Sequence, residues 1–381
     1  MKTILRQAAG SLLVVGLEST ELTGLERAWL KLVRPAGIIL FRRNIVDAAQ
    51  TRSLLADSSA LCAAHAFRCV DLEGGTVDRL RDALAAMPSP QAVAAAARQP
   101  GRGGQSRAGL IREKGELVGR GVKAFGFNTT LAPVLDLALP DSAQVMGTRS
   151  ASATSAGVVE YARGFLAGLR AQGVVGCGKH FPGLGGGRLD SHLETPAIRR
   201  GFRALWREDL AVYRELRGEL PMEMVSHAAY PDTRGGDRPA SASKYWISTV
   251  LRKRIGYRGI VFSDDLEMGG ILKFMPMEEA AVEAVRAGMD LMEICHTPEL
   301  ILRAYEALIA EGERSAAFSR LLFALQKKNA RARARLFSAG ASAALPARQF
   351  EALRKRILRF GETVLKAQET QQEGQQERQP E

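Results

Sequence analysis

The feature that most restricts the fold of this chain is a short apolar run that recurs eight times, each time followed by a stretch long enough for a helix. The runs occupy residues 11–16, 37–41, 66–71, 130–136, 174–179, 222–227, 259–264 and 290–295. Largely apolar runs of this length suit strands covered on both faces, as in a parallel sheet whose crossovers are helices. Two crossovers read directly as helices. Val158, Tyr161, Phe165 and Leu169 recur at helical spacing before Gly173, and Ala281, Val282 and Val285 do so before Gly288. Eight such units predict an α/β chain folded as a TIM-like (β/α)8 barrel with a C-terminal helical extension.

Length and composition agree with that reading. At 46% hydrophobic residues the chain is too apolar for general disorder, and no stretch approaches the roughly 18 to 20 apolar residues of a membrane span. Its 381 residues would make two or three domains at about 150 residues each, but a barrel uses about 250 or more as one. The recurrence selects a barrel over residues 1–310, a basic helical extension over 311–367 and a Gln/Glu-rich tail over 368–381. Pro346 can open a helix in the extension, with Phe350, Leu353, Ile357, Phe360 and Val364 as its apolar stripe. The tail has nothing to bury and is expected to be disordered.

The net charge of +12 suggests an anionic partner until it is located. Residues 314–366 hold 13 basic and two acidic side chains, the tail from Ala367 holds one Arg and four Glu, and residues 1–313 are nearly balanced at +4. The basic segment has no aromatic interleaving and no recognised module, so no nucleic-acid partner is expected. The first six residues carry the charge of a leader, but Gln7 and Gly10 interrupt the apolar region and Glu18 follows, so residues 11–16 read as a buried strand. Cys62, Cys69, Cys177 and Cys295 lie in apolar surroundings and form no CxxC pair, which suits reduced core thiols in a cytoplasmic protein. The loop Gly101-Arg-Gly-Gly104 opens no phosphate motif and reads as a flexible connection.

Residues able to do chemistry cluster where the runs end: Asp71, Asp136, Lys179 with His180, His227, Asp264 and His296. Barrel active sites form at that rim, because inward strand positions are filled by side chains and only the loops after the strands can vary. After Lys179 and His180 the chain crosses a Gly-rich, expectedly mobile stretch and presents Asp190-Ser191-His192. An Asp two residues from a His can hold one imidazole nitrogen and raise the His pKa from about 6.5, although a surface Asp-x-His is ordinarily just solvated loop. Asp264 and Asp265 follow a buried strand and suit nucleophilic attack, proton abstraction or metal binding. Asp71, His180, His227 and Asp264 could be drawn as a ligand set. No His-x-His or His-Glu-x-x-His pair supports it, and no metal or other cofactor is expected.

Several of these segments occur together in one order: Pro35-Ala-Gly-Ile-Ile-Leu-Phe-Arg-Arg-Asn44, Asp71-Leu-Glu-Gly-Gly75, Leu131-Ala-Pro-Val-Leu-Asp136, Lys179-His-Phe-Pro-Gly183, Asp190-Ser-His192 and Phe262-Ser-Asp-Asp-Leu266. From about Gly10 to near residue 310 the chain thereby resembles glycoside hydrolase family 3, in its single-domain β-N-acetylglucosaminidase branch of bacterial cell-wall recycling. The resemblance implies a retaining exo-β-N-acetylglucosaminidase (β-N-acetylhexosaminidase) that needs no cofactor and takes a GlcNAc-containing muropeptide as its carbohydrate substrate. It implies Asp264 as nucleophile, His192 as acid/base and Asp190 as the partner that orients His192. Asp71, Arg149, Lys179 and His180 match positions that hold the GlcNAc hydroxyls, and Arg79 and His227 are further pocket residues. Oligomeric state is not legible, and a monomer is the default.

Three departures stand out. The usual Pro-Gly-His-Gly-Asp-Thr loop becomes Pro182-Gly-Leu184-Gly-Gly186-Gly187, with spacing to Asp190 and His192 unchanged. Thr76 replaces an Arg, and Ala151 replaces a Phe. These changes bear on loop pre-organisation and on the leaving-group side of the pocket. They keep open a family 3 glycosidase or phosphorylase with another sugar or acceptor, or a catalytically weakened carbohydrate-binding protein.

Overall fold

The computed structural model describes residues 2–98, 107–187, 195–338 and 343–376. Eight parallel strands close into a barrel in chain order: β1 Leu13–Gly16, β2 Gly37–Leu40, β3 Phe67–Val70, β4 Thr129–Thr130, β5 Val175–Phe181, β6 Met222–Val225, β7 Ile260–Asp265 and β8 Leu291–Ile294. The register Leu13↔Met292 joins β1 to β8 and completes the ring. The predicted TIM-like barrel is therefore present, and the doubly apolar runs have a plain cause. Val14, Ile39, Phe67, Cys69, Val175, Cys177, Met222, Ile260, Phe262 and Leu291 fill the interior. Their neighbours Leu13, Val15, Ile38, Leu40, Val70, Val261, Met292 and Ile294 pack outward under the helices.

The fourth run departs from expectation, because only Thr129 and Thr130 form a strand. Pro133 has no N–H to give to a ladder. The chain instead follows β5 irregularly: Cys177 N–H donates to Ala132 O (2.9 Å), Lys179 N–H to Pro133 O (3.2 Å) and Leu135 N–H to Lys179 O (2.6 Å).

Helices complete the two ends. The opening residues form a helix, Lys2–Gly10, whose Leu5, Ala8 and Ala9 are buried against the helices Pro298–Arg314 and Ala316–Leu336. Ser315 caps Ala316–Leu336 by accepting from Phe318 N–H. That helix passes beneath the N-terminal ends of the strands. Asn329 donates to Asp290 O (2.6 Å) just before β8, and the Phe337 ring meets Phe67 edge-on at 5.1 Å. The last helix, Ala347–Gln376, lays buried Leu353, Ile357, Phe360 and Val364 toward the helices Pro90–Ala97 and Arg107–Ala124. It continues through Gln376, where disorder was expected from residue 368. An anchored helix needs no new nucleus, and Ala, Gln and Glu propagate it well; residues 377–381 lie outside the described residues. All four cysteines are buried and free, and no described helix is long and apolar enough to cross a membrane.

Candidate active site

The inward series of side chains changes character at the C-terminal ends of the strands. After Phe67 and Cys69 comes Asp71, after Val175 and Cys177 comes Lys179, after Ile260 and Phe262 comes Asp264, and after Leu291 comes Glu293. The strand period of two therefore delivers ionisable groups to one place. All four line a cavity of about 430 Å³ at the rim, together with Arg79, Arg149 and His180.

One wall is a fixed charge array. Lys179 Nζ donates to Asp71 Oδ1 at 2.9 Å and to Glu73 Oε1 at 2.7 Å. Arg149 grips both oxygens of Glu73 at 2.8 Å, and Arg79 Nη2 stands 3.5 Å from Asp71 Oδ2. Glu73 comes from the small hairpin of Leu72–Gly74 with Val77–Asp78, which follows β3. Burial alone would raise the Asp71 carboxyl, but the Lys179 and Arg79 charges outweigh it and hold the group below the usual range. Burial would likewise lower the Lys179 ammonium, yet Asp71 and Glu73 hold it above its ordinary value. Both groups stay charged and fixed, and charge-assisted hydrogen bonds to hydroxyls are the strong kind. His180 is pinned beside them: Asp136 Oδ2 lies 2.6 Å from its Nδ1 and accepts from its backbone N–H, and Asp136 Oδ1 accepts from Leu184 N–H at 2.7 Å.

The facing wall carries the acids of β7 and β8. Between these strands the register slips, so Leu291 stands opposite Phe262 but Glu293 stands opposite Asp265. This irregularity turns Asp264 and Asp265 both to the cavity lining. Asp264 Oδ1 accepts from Asp265 N–H at 3.0 Å. Burial, reinforced by the Glu267 and Asp264 charges and opposed by the Glu267 N–H, pushes the Asp265 carboxyl up to about 7. His296 completes this side, its Nδ1 2.9 Å from Arg43 Nη1 and its Nε2 3.5 Å from Asp265 Oδ2.

The residues singled out from sequence fall into three groups. Asp71, Arg79, Arg149, Lys179, His180 and Asp264 share the cavity. His227 is not among its lining: it is fully buried, its Nδ1 2.7 Å from Ser241 Oγ and its Nε2 2.9 Å from Asp265 O. Through that carbonyl it holds the end of β7. Asp190 and His192 lie outside the described residues, as does the connection Gly101-Arg-Gly-Gly104. The Gly-rich stretch that leads toward His192 is packed rather than loose. Gly183, Leu184, Gly185 and Gly187 are buried, and Tyr230 donates to Gly183 O at 2.8 Å. Among the described residues no group of three or more His, Cys, Asp or Glu side chains is arranged to hold a metal ion. Sequence reasoning passed over two groups, Glu73 as the hub of the cationic wall and Glu293. The second was detectable by counting alternate residues along β8.

An eight-stranded barrel whose rim sets carboxylates opposite fixed, charged hydrogen-bonding groups has the make-up of a glycoside hydrolase. The chain belongs to glycosyl hydrolase family 3, whose N terminal domain profile matches residues 4–321. A beta-hexosaminidase from Alkalilimnicola ehrlichii is 40% identical over 291 residues, spanning 76% of this chain and 82% of that protein. Among solved structures, a glycoside hydrolase family 3 beta-N-acetylglucosaminidase from Paenibacillus sp. str. FPU-7 superposes with a TM-score of 0.81 at 31% identity, covering 93% of this chain and 68% of that one. NagZ from Neisseria gonorrhoeae superposes with a TM-score of 0.70 at 29% identity, covering 84% and 98% respectively.

Proposed function

We propose that the protein is a retaining exo-β-N-acetylglucosaminidase that releases terminal β-linked GlcNAc, acting in the cytoplasm on GlcNAc-anhydro-N-acetylmuramic acid muropeptides during peptidoglycan recycling. The observation that carries this reading is the place of Asp264. It ends an inward strand series, across a cavity from the Asp71, Glu73, Lys179 and Arg149 array, in a family 3 chain. The printed activities of the relatives, beta-hexosaminidase and beta-N-acetylglucosaminidase, support an N-acetylated sugar.

In this reading Asp264 attacks the anomeric carbon while the leaving oxygen takes a proton from His192, giving a covalent glycosyl-enzyme. Water, deprotonated by His192, then attacks the same carbon and frees Asp264. Two inversions give net retention. An imidazole in place of the usual second carboxylate adds no negative charge beside the nucleophile, and Asp190 would orient its ring. These roles of His192 and Asp190 rest on the sequence motif. Lys179, Asp71 and Arg149 would hold ring hydroxyls, keeping the anomeric carbon over Asp264.

The test is hydrolysis of a chromogenic β-GlcNAc glycoside, with the β-glucoside as control. Asp264→Asn should lower kcat/KM at least about 10³-fold, equivalent to about 4 kcal/mol of transition-state stabilisation. His192→Ala should be rescued in part by a substrate whose leaving group needs no proton. Full activity in Asp264→Asn would displace the nucleophile, and preference for glucose would remove the N-acetyl assignment. Phosphate-dependent release of a sugar phosphate would replace hydrolase by phosphorylase.

A further inference from the structure

The positive charge that the sequence concentrates after residue 313 takes no part in the chemistry above, and the fold gives part of it a shape. The helix Ala316–Leu336 contains Arg320, Lys327, Lys328, Arg331, Arg333 and Arg335 and no acidic residue. Lys327, Arg331 and Arg335 follow at four-residue intervals, so they stand on one face about 6 Å apart. Like charges at that spacing oppose one another, a cost that solvated helices avoid by interleaving Glu or Asp. The negative end of the helix favours Arg335 but reaches only the last turn.

This face does not look into open solvent. Across from it stand Arg217 and Arg258, on the segments entering β6 and β7, and Arg170, near the end of the helix Ser155–Ala171. The walls enclose a cleft of about 1180 Å³ at the N-terminal end of the barrel, away from the sugar cavity. Six cations line it with their side chains exposed: Arg170, Arg217, Arg258, Lys327, Arg331 and Arg335. Glu219 is the one acidic residue on the described walls, and Arg163 already holds it at 2.8 Å. Lys328, also on the wall, is paired with Asp290 at 2.6 Å.

A concave surface of one sign focuses its field and draws in counter-charge. Five of these six groups are guanidinium ions, whose planar forks match phosphate oxygens in pairs. The face from Lys327 to Arg335 spans about 12 Å, room for several phosphates in a row. Among the described residues no aromatic side chain lines the cleft, so its described walls offer nothing on which a base could stack. A flat bilayer would not enter a concavity, and among the described residues none of the exposed large apolar side chains borders it. We propose that this cleft is a binding site for a linear run of phosphate groups, held through their oxygens by the Arg and Lys side chains of its walls. The site is independent of the sugar chemistry at the opposite rim.

The test uses the full chain and medium-chain sodium polyphosphate, titrated calorimetrically at about 50 mM and about 200 mM salt. Binding is expected, at least about tenfold weaker at the higher salt, and abolished in K327E/R331E/R335E. Hydrolysis of the chromogenic glycoside by that variant should match wild type, which also reports that it folds. If the triple variant is inactive, single R331E and R258E variants carry the comparison, each with at least about tenfold weaker binding. No binding by wild type at the lower salt, or undiminished binding by the variants, overturns the proposal. An oligothymidylate of equal phosphate number should compete no better than polyphosphate. Markedly tighter binding of the oligonucleotide would mean that bases are read, and would overturn recognition through phosphates alone.

Discussion

Glu293 shows how far a single side chain can sit from what its neighbourhood would lead one to expect. It is 2% exposed, its Oε1 has no hydrogen-bond partner, and it lies within an otherwise apolar run. Burial, then the Asp265, Asp71 and Asp264 carboxylates, push its pKa well above the ordinary range, and Lys179 offsets this only in part. The carboxyl is therefore held toward its uncharged form, close in shape and charge to a carboxamide. Glu293→Gln should keep kcat/KM near neutrality within about threefold, less than 1 kcal/mol. On the alkaline side wild type should decline as Glu293 ionises beside Asp264, and the variant should not share that step. Superimposable alkaline limbs in the two pH–rate profiles would show that Glu293 does not titrate at the site. Asp71, Lys179 and Asp264 were legible in the sequence because each closes an apolar run and so marks a strand end. Glu293 was not, because Ile294 and Cys295 continue the run beyond it and only the alternation Leu291, Glu293, Cys295 betrays its direction.

Elements were read best where one periodicity governs them. Apart from the fourth, the strands follow from apolar spacing alone, as does the stripe on Ala347–Gln376. Ile357 is fully buried on that stripe, so Ile357→Ala should cost about 2–5 kcal/mol of stability in urea unfolding. Its KM should stay unchanged, because the helix lies outside the rim cavity. The helix Lys2–Gly10 escaped notice because four small or apolar buried positions in nine residues also look like an interrupted leader. The Gly-rich segment after β5 was misread for a different reason. Glycine permits mobility but also permits close approach, and Gly183 uses the second property. Its φ is +126°, and a Cβ there would stand 2.8 Å from Asp209 Oδ1. Gly183→Ala should lower Tm through about 1–3 kcal/mol of backbone strain, with further loss from the contact. An unchanged Tm would mean that the segment shifts freely.

At the scale of the whole molecule, buried carboxyls tie stability to pH. Glu223 on β6 is fully buried, with neither oxygen hydrogen-bonded, and burial reinforced by Asp136 raises its pKa well above the ordinary value. The folded state then keeps a proton that the unfolded chain releases above about pH 4.3. Its contribution is fully present below that pH and is lost as pH rises toward the folded-state pKa, by up to about 1.4 kcal/mol per unit. Glu223→Gln removes the loss, so its Tm advantage over wild type should widen from pH 5 to pH 8 as measured by thermal unfolding. A constant gap would exclude Glu223 as a linked group. The barrel's other whole-molecule feature is its stopper. With Phe337 against Phe67 across the N-terminal end, the rim cavity is a cul-de-sac, and a long glycan cannot thread through it. Whatever is bound deepest went in first and comes out last, so the doorway cannot admit a new guest until the previous one has backed out.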